Sequence, residues 1–304
     1  MRTPEESSRP LVILNPAANR GHMGRHRALV CERVEREQAE YIETTRPGEA
    51  RERAELAARE GRPVIVVGGD GSVHEVVNGL LAAGRRVPLG IIAAGTGNDF
   101  AQYALKLPME PEPAIERAFD GRLVDIDAGV VNGCYFVNSF GVGLDADIAL
   151  ATERMKKWPL MNGSRLYYTA ALRQLIFGYH RCPWLTVSMD EEIESGGFEK
   201  RYVLIAVTIG PSYGAGFRIN PFADPADGLF DICAIHYTPW RRALTLLPTV
   251  QRGEHADLPE VTFYHARRIR IEGRRMVNAL LDGETTCAQS YHAEILPGAL
   301  WIRV

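Results

Sequence analysis

The most constraining feature of this chain is an apolar, β-branched run that stops at a cluster of glycines holding one acid. Val64 to Val67 are typical of a buried parallel strand, and Gly68-Gly69-Asp70-Gly71-Ser72 follows directly. From Val73 to Ala83, apolar residues recur at helical spacing. The order strand, tight turn, helix predicts a layered α/β domain with the glycine turn at the carboxyl end of a strand.

The chemistry of this turn favours a nucleotide phosphate. Glycines let the backbone approach phosphate oxygens, and the amides at a helix start supply donors and partial positive charge. The turn lacks the lysine of a Walker loop and the spacing of a dinucleotide fingerprint. Because Asp70 would repel a phosphate without an intervening cation, we predict a magnesium nucleotide. An ordinary strand-to-helix turn with a capping acid is the alternative for this motif alone.

A second element of the same kind follows. The apolar strand Pro88 to Ala94 runs into Gly95-Thr96-Gly97-Asn98-Asp99-Phe100-Ala101, which is typical of a turn that opens a helix. Ligands of open α/β sheets lie beyond the carboxyl ends of the strands, so both loops should face one crevice. Thr96 can donate to a phosphate, and Asn98 or Asp99 can cap the helix and order magnesium-bound waters.

The hydrophobic periodicity changes once along the chain. Up to about residue 126, short apolar strands alternate with helical segments, which predicts a layered α/β nucleotide-binding domain over residues 1–127. Beyond it, many short runs separated by turn residues predict an antiparallel β-sandwich-like domain over residues 128–295, with one helical insertion around Leu166 to Phe177. The expected fold class is therefore α/β plus mostly β in two domains, with the active site in the interdomain cleft.

Composition limits the class of partner. The 304 residues are 46% hydrophobic, which is ordinary for a globular enzyme, and the net charge of -3 argues against nucleic acid. Five scattered cysteines without metal-ligand spacing favour reduced thiols and a cytoplasmic location. Residues 1–8 lack an apolar signal core, and the apolar runs are too short to span a bilayer. Membrane contact should therefore be peripheral.

Two segments could provide such contact. Residues 154–161 mix cations with a tryptophan and large apolar groups, as a membrane-interface segment or the basic end of a helix would. An arginine-rich stretch further on could attract anionic headgroups, although a basic run is more often a solvated face. Its members are Arg267, Arg268, Arg270, Arg274 and Arg275.

Four motifs, taken in order, resemble the diacylglycerol kinase catalytic-domain family, which includes bacterial lipid kinases and the sphingosine and ceramide kinases. They are Asn15-Pro16 with Gly21, Gly68 to Ser72, Gly95 to Ala101, and Leu281-Asp282-Gly283-Glu284. The resemblance spans nearly the whole chain. It departs from the family at Ser72, where threonine is usual, and at His74, where asparagine is common. Serine keeps the hydroxyl, so nucleotide binding should survive.

The resemblance implies ATP and Mg²⁺ as cofactors and a role for each matching residue. Glu284 resembles the general base, and Asp70, Asp99 and Asp127 resemble an acidic triplet that organises catalytic magnesium and its waters. The implied nucleotide contacts are Asn15, Thr44, Gly68, Gly69, Asp70, Gly71, Ser72 and Thr96. The implied ligands of a structural magnesium loop are Asp224, Asp227 and the main-chain carbonyl of Leu229. Residues 296–304 are implied to return to the first domain.

Without the resemblance, two of these elements would be read differently. Asp282-Gly283 is first of all a turn signal, and the segment from Asp224 to Gly228 is typical of a solvated turn. Their assignment to a general base and a metal loop therefore depends on the family.

The sequence predicts an ATP- and magnesium-dependent lipid kinase that phosphorylates a lipid hydroxyl, with diacylglycerol as the most general substrate. One alternative is a kinase of a soluble substrate, similar to NAD kinase or phosphofructokinase, which use a Gly-Gly-Asp-Gly loop. The Gly95 to Ala101 motif and Asp282-Gly283-Glu284 argue against it. Another is a lipid- or nucleotide-binding protein without turnover. The particular lipid is not specified, and a homodimer is left open.

Overall fold

The computed structural model describes residues 9–18, 23–155, 163–214 and 216–304. Two elements of the sequence analysis, Gly21 and most of the cationic segment 154–161, lie outside the described residues or side chains. The chain divides into two compact units. The first runs up to Ala128 and adds Cys134–Val137 and Leu296–Val304, and the second comprises Gly129–Gly133 and Asn138–Ile295.

The first unit is built on parallel strands. The N-terminal strands are β1 (Leu11–Leu14), β2 (Glu40–Glu43), β3 (Val64–Gly68) and β4 (Pro88–Ala93). The order is β4-β3-β1-β2, and every neighbouring pair is parallel. The end of the long C-terminal strand β13 (Glu284–Arg303) adds a further parallel strand beside β4, through Trp301 and Ile302.

Helices cover both faces of these strands because the buried side chains alternate along each strand. Leu11, Ile13 and Val66 contact one apolar cluster, formed with helices α2 (Glu49–Glu60) and α3 (Asp70–Ala82). Val12 and Val67 contact another, formed with helices α1 (Gly24–Glu37) and α4 (Pro111–Asp120). Strands that are buried on both faces are continuously apolar, which is the pattern that the sequence shows. Strand β5 (Leu123–Val131) and strand β6 (Cys134–Phe136) follow α4.

The second unit is antiparallel. Its strands are β7 (Ser139–Gly143), β8 (Trp184–Met189), β9 (Phe198–Thr208), β10 (Phe230–His236), β11 (Val261–Ala266) and β12 (Arg268–Leu281). They follow the order β11-β10-β9-β7-β12-β13, and β8 pairs with both β9 and β12. Together, the two units confirm the predicted fold class of a parallel α/β region followed by an antiparallel β region.

The second unit contains more helices than the sequence predicts. The expected insertion around Leu166 to Phe177 is present as α6 (Gly163–Arg173), which a π-helical turn at Gln174–Gly178 continues. Helix α5 (Leu144–Met155), the short α7 (Glu192–Ser195) and α8 (Trp240–Arg252) are additional. Helix α8 has apolar residues at helical spacing, but Pro248 lies inside it, and an internal proline normally argues against a helix.

Candidate active site

The predicted nucleotide loops leave one edge of the parallel strands. Because β4, β3, β1 and β2 are adjacent and parallel, the residues after their carboxyl ends lie along one edge. Asn15 follows β1, and the half-buried Thr44 follows β2, donating its backbone N–H to the Leu14 carbonyl at 2.9 Å. The glycine cluster and the Gly95 to Ala101 loop follow β3 and β4.

The two glycine loops touch through their backbones. A Cβ atom built on Gly95 would overlap the Cα of Gly69, and one built on Gly69 would lie 3.0 Å from the Cα of Gly95. A side chain at Gly95 would therefore force the loops apart. The contact explains why both motifs carry glycine where the strands end.

Asp70 joins the loops. Its Oδ2 accepts the backbone N–H of Asn98 at 2.7 Å. Asn98 has a φ of +58° and closes its own loop, since its side-chain oxygen accepts from the Gly95 N–H at 2.8 Å and its Nδ2 donates to the Gly95 carbonyl at 3.0 Å. The capping prediction is therefore wrong for Asn98. It is also wrong for Asp99, which precedes a π-helical turn at Phe100–Ala104 and makes no side-chain capping bond.

Two of the predicted acids converge beside Gly97. A Cβ atom on Gly97 would lie 2.8 Å from Asp70 Oδ2 and 3.7 Å from Asp99 Oδ2, and Asp99 is buried. Two carboxylate oxygens close to one point favour a cation there, because its charge would offset both of theirs. Oxygen ligands at the end of a phosphate-binding loop suit Mg²⁺, so the chemistry of this pair fits the metal that the sequence predicts.

Asp127 is placed by a different contact. It is buried on β5, and its Oδ1 accepts the backbone N–H of Gly298 at 2.7 Å. One oxygen of this acid therefore holds the C-terminal segment within the first unit. Its predicted role in magnesium organisation stays a prediction.

The hydroxyl of Ser72 has a defined partner. Asn15 Nδ2 donates to Ser72 Oγ at 2.9 Å, and Asn15 Oδ1 accepts the Ala17 N–H at 3.0 Å. Ser72 is buried, whereas Thr96 is exposed. The Asn15–Ser72 bond therefore ties the first predicted motif to the glycine cluster, and it requires a hydroxyl but no methyl group at position 72.

Glu284 follows a two-residue hairpin turn. Leu281 on β12 pairs with Glu284 on β13, and Asp282 and Gly283 have φ values of +45° and +96°, as a type I′ turn requires. Asp282 Oδ1 accepts the backbone N–H groups of Asn138 and Ser139 at 3.0 and 2.9 Å. Glu284 itself is exposed. Asp282 thus anchors the turn that presents Glu284, a role that the dipeptide Asp-Gly alone does not reveal.

The predicted metal loop consists of two tight turns closed by acids. Asp224 Oδ1 accepts the Ala226 N–H at 3.0 Å, and Asp227 Oδ1 accepts the Leu229 N–H at 2.9 Å. Among the described residues, no group of three or more His, Cys, Asp or Glu side chains is arranged to hold a metal ion. The assignment of Asp224, Asp227 and Leu229 as ligands therefore stays a prediction.

A neighbouring acid supports a cation at this loop. Asp231 is buried, its Oδ1 lies 3.3 Å from His265 Nδ1, and its Oδ2 has no hydrogen-bond partner. The pKa of Asp231 is raised to about 6, chiefly by burial and also by the charge of Asp227, while the charge of His265 lowers it. A buried carboxylate oxygen without a partner beside two further carboxylates is an environment that a hard cation would stabilise.

The second unit contains an apolar cavity that sequence reasoning did not locate. Its volume is about 90 Å³, and α5, α6, the π-helical turn, α8 and β9 contribute to its walls. Asp145 is the one carboxylate among the residues that line it. Asp145 Oδ2 accepts from the Tyr213 hydroxyl at 3.1 Å, and Oδ1 accepts the Ala146 N–H at 2.8 Å. Burial raises the pKa of Asp145 to about 7.

The raised pKa makes Asp145 a source of pH-dependent stability. Between about pH 4, the ordinary carboxyl value, and about pH 7, the folded state binds more protons than the unfolded state, so stability falls as pH rises. Asp145→Asn should remove this loss and be more stable than wild type above pH 7, by on the order of a few kcal/mol. Denaturant unfolding of both proteins from pH 4 to pH 8 measures the difference.

Tyr213→Phe is the matched variant. The Tyr213 hydrogen bond lowers the pKa of Asp145, so its removal should extend the pH range over which stability falls to higher pH. Parallel pH profiles for wild type and Asp145→Asn would contradict the assignment.

Comparison with known proteins identifies the family. Residues 9–131 match the diacylglycerol kinase catalytic domain, and residues 138–304 match the YegS C-terminal NAD kinase beta sandwich-like domain. A diacylglycerol kinase of Bacillus subtilis strain 168 is 33% identical over 284 residues, which cover 91% of this chain and 89% of that protein. One from Mycobacterium tuberculosis H37Rv is 33% identical over 82% of this chain and 79% of its own.

Solved structures share the fold. The crystal structure of a diacylglycerol kinase from Bacillus anthracis strain Sterne matches with a TM-score of 0.72 at 20% identity, covering 97% of this chain and 96% of that one. Another structure from that organism, at 23% identity and the same coverage, reaches a TM-score of 0.80. The chain belongs to the diacylglycerol kinase catalytic-domain family, as its motifs predicted. Membership of a kinase family implies ATP as the phosphoryl donor.

Proposed function

We propose that this protein transfers the γ-phosphoryl group of ATP to the free hydroxyl of diacylglycerol in the presence of Mg²⁺, which yields phosphatidic acid. The observation that carries the proposal is the meeting of Asp70 and Asp99 beside Gly97, where two glycine loops leave parallel strands. Phosphoryl transfer needs positioning and neutralisation of charge more than covalent chemistry. Backbone amides at a helix start and a bound cation meet those needs.

The first unit supplies the phosphate site. Gly68 to Ser72 would bind the phosphates through backbone amides, while Asn15, Thr44 and Thr96 line the same strand edge. Asp70 and Asp99 would hold Mg²⁺ directly or through its waters, and Asp127 is assigned to the same network. Magnesium, when bound, neutralises the phosphate charge.

The second unit supplies the general base. The exposed carboxylate of Glu284 would accept the proton of the lipid hydroxyl while its oxygen forms a bond to the γ-phosphorus. The bond from that phosphorus to the ADP oxygen breaks in the same step. Asp282 positions Glu284 through its bonds to Asn138 and Ser139, and it takes no proton itself.

The apolar cavity of the second unit suits part of an acyl chain. Its walls are almost entirely apolar, among them Leu175, Leu204 and Leu246, and the water they exclude makes a hydrocarbon chain a favourable occupant. No helix in the described part of the chain is long and apolar enough to cross a membrane. We propose that the lipid is reached by peripheral contact with a membrane.

A substrate panel tests the proposal. ATP consumption should depend on Mg²⁺ and should rise with diacylglycerol in detergent micelles, and not with NAD or fructose 6-phosphate. Incorporation of labelled phosphate into the lipid product identifies the acceptor. Turnover with NAD or fructose 6-phosphate alone would favour a kinase of soluble substrates, and nucleotide or lipid binding without turnover would favour the binding protein.

The proposed structural magnesium loop has its own test. An ion that binds only the folded state raises stability by mass action, on the order of 3 kcal/mol at a hundredfold excess over its dissociation constant. Asp227→Ala should therefore abolish the magnesium-induced rise in melting temperature and lower activity indirectly. Asp257→Ala, which removes an exposed acid outside this loop, is the control and should keep the full magnesium shift. An unchanged shift in Asp227→Ala would make the loop an ordinary turn.

A further inference from the structure

Helix α6 and the π-helical turn that continues it have apolar residues on a buried side and on an exposed side. Ala171 and Leu175 are buried and line the apolar cavity. Leu172, Ile176 and Phe177 are 46%, 47% and 70% exposed. Leu172 and Ile176 are four residues apart and lie on one side of the helix, and the exposed Phe177 follows Ile176 in the π-helical turn. The helix that lines the cavity with its buried side chains thus also presents large apolar side chains to solvent.

The exposed side also carries cations. Arg173 and Arg181 are exposed and line one small surface pocket together with Gln174 and Phe177. Among the described side chains, neither arginine forms an ion pair with a carboxylate. Two of the five arginines suggested by the sequence are already paired with carboxylates, Arg270 with Glu272 and Arg274 with Glu199.

A second helix over the cavity repeats this arrangement. Helix α8 contributes Ala243 and Leu246 to the cavity wall, and its first residue, Trp240, is 43% exposed. The guanidinium of Arg241 lies 5.7 Å from the centroid of the Trp240 ring. Tryptophan and arginine side chains combine an apolar body with a polar end, which suits the boundary between lipid headgroups and acyl chains.

From these observations we infer that a docking face, defined as Leu172, Arg173, Ile176, Phe177 and Arg181, rests on an anionic lipid bilayer. The apolar members insert at the headgroup boundary, and the two arginines contact lipid phosphates. Contiguous exposed apolar side chains mark interaction surfaces, and the unpaired cationic charge selects an anionic partner.

A membrane-docking face adds the route to the lipid to the proposed kinase function, and its purpose rests on that function. A lipid kinase must take a substrate of very low water solubility from a bilayer. The docking face lies on the exposed side of the helix whose buried side lines the cavity. Docking on this face would therefore bring the cavity wall to the depth at which acyl chains begin.

Vesicle binding tests the face without requiring turnover. The full chain is sedimented with phosphatidylcholine vesicles, with or without phosphatidylglycerol, and diacylglycerol is left out. Wild type should bind the anionic vesicles more tightly. Arg173→Gln with Arg181→Gln should lower that binding by about tenfold or more, since each arginine near an anionic surface contributes about fivefold. Ile176→Ser with Phe177→Ser should lower binding to both kinds of vesicle.

The control variant carries Met276→Ser, Arg267→Gln and Arg275→Gln, which remove two exposed cations and one exposed apolar side chain from the arginine-rich stretch. It should bind as wild type does. Failure of wild type to bind anionic vesicles, or loss of binding in the control with retention in the docking-face variants, would overturn the inference. The first outcome is also the one expected if a protein partner covers the face.

Activity assays separate this inference from the proposed function. With a short-chain diacylglycerol dispersed below its micellar concentration, the docking-face variants should turn over at the wild-type rate, and only vesicle-borne substrate should be phosphorylated more slowly. Equal loss on both forms of substrate would overturn the docking role. If wild type phosphorylates no lipid but the variants still lose vesicle binding, the kinase proposal fails and the docking face stands.

Discussion

Replacing Glu284 by glutamine should lower kcat by about two to four orders of magnitude, the range for loss of a positioned general base. The amide cannot accept the proton of the attacking hydroxyl. Glu284 is exposed at a hairpin, so the substitution should leave thermal stability and ATP binding close to those of wild type. Initial rates with diacylglycerol in micelles, together with nucleotide binding by calorimetry, measure both parts of this expectation.

Asp282→Ala provides the contrast for this prediction. Asp282 accepts two backbone N–H groups, and hydrogen bonds to a charged group contribute about 1.5–3 kcal/mol each. Its loss should therefore lower both stability and kcat, whereas Glu284→Gln should lower kcat alone. Wild-type turnover by Glu284→Gln would remove Glu284 from the reaction. If Glu284→Gln lowered stability as much as Asp282→Ala does, Glu284 would affect turnover through the fold and not as a base.

Most of the parallel strands could be predicted because their signals are local. The apolar run Val64 to Val67 corresponds to β3, and Leu11–Leu14 is β1, as the run of apolar residues indicates. Strands that are buried on both faces must be apolar at every position, so their bounds are visible in the sequence. The helix after β3 begins at Asp70, before its first apolar position, because a helix start depends on backbone geometry more than on apolar spacing.

The contacts within the site could not be predicted in this way. Asp70 and Asn98 are 28 positions apart, and their hydrogen bond depends on the order of β3 and β4 in the sheet. The cavity around Asp145 is formed by helices and strands from distant parts of the chain, and each of them contributes only a few apolar residues. Local patterns specify which residues are apolar, and the tertiary structure specifies which of them surround an empty volume.

Which arginines are free to bind an anionic partner also depends on tertiary contacts that the sequence does not reveal. The sequence contains clusters of basic residues, but it does not reveal which of them pair with a neighbouring carboxylate in the folded protein. In the structure, Glu199 accepts two hydrogen bonds from Arg274, whereas Arg173 and Arg181 lie beside the exposed ring of Phe177. The positions of the acids therefore decide which cationic surface can attract an anionic partner, and those positions follow from strand pairing.

Replacing Asp70 by asparagine should have the second large effect. The side-chain amide oxygen can still accept the Asn98 N–H, so the loop geometry should be retained. What is lost is the negative charge, and with it the attraction for a cation at the phosphate loop. We expect kcat/KM for ATP to fall by about a hundredfold or more, which corresponds to about 2.7 kcal/mol, and the magnesium concentration for half-maximal rate to rise.

The same substitution should raise stability in the absence of nucleotide and metal. Asp70 and Asp99 converge beside Gly97, and removal of one charge relieves their repulsion. Asp120→Asn, which removes an exposed acid of the same unit that pairs with Arg33, is the control and should keep wild-type kinetics. Rates over a magnesium titration and thermal melts without ligands decide the matter. A variant that keeps wild-type magnesium dependence, or that melts at a lower temperature than wild type without ligands, would show that Asp70 serves only to join the two loops.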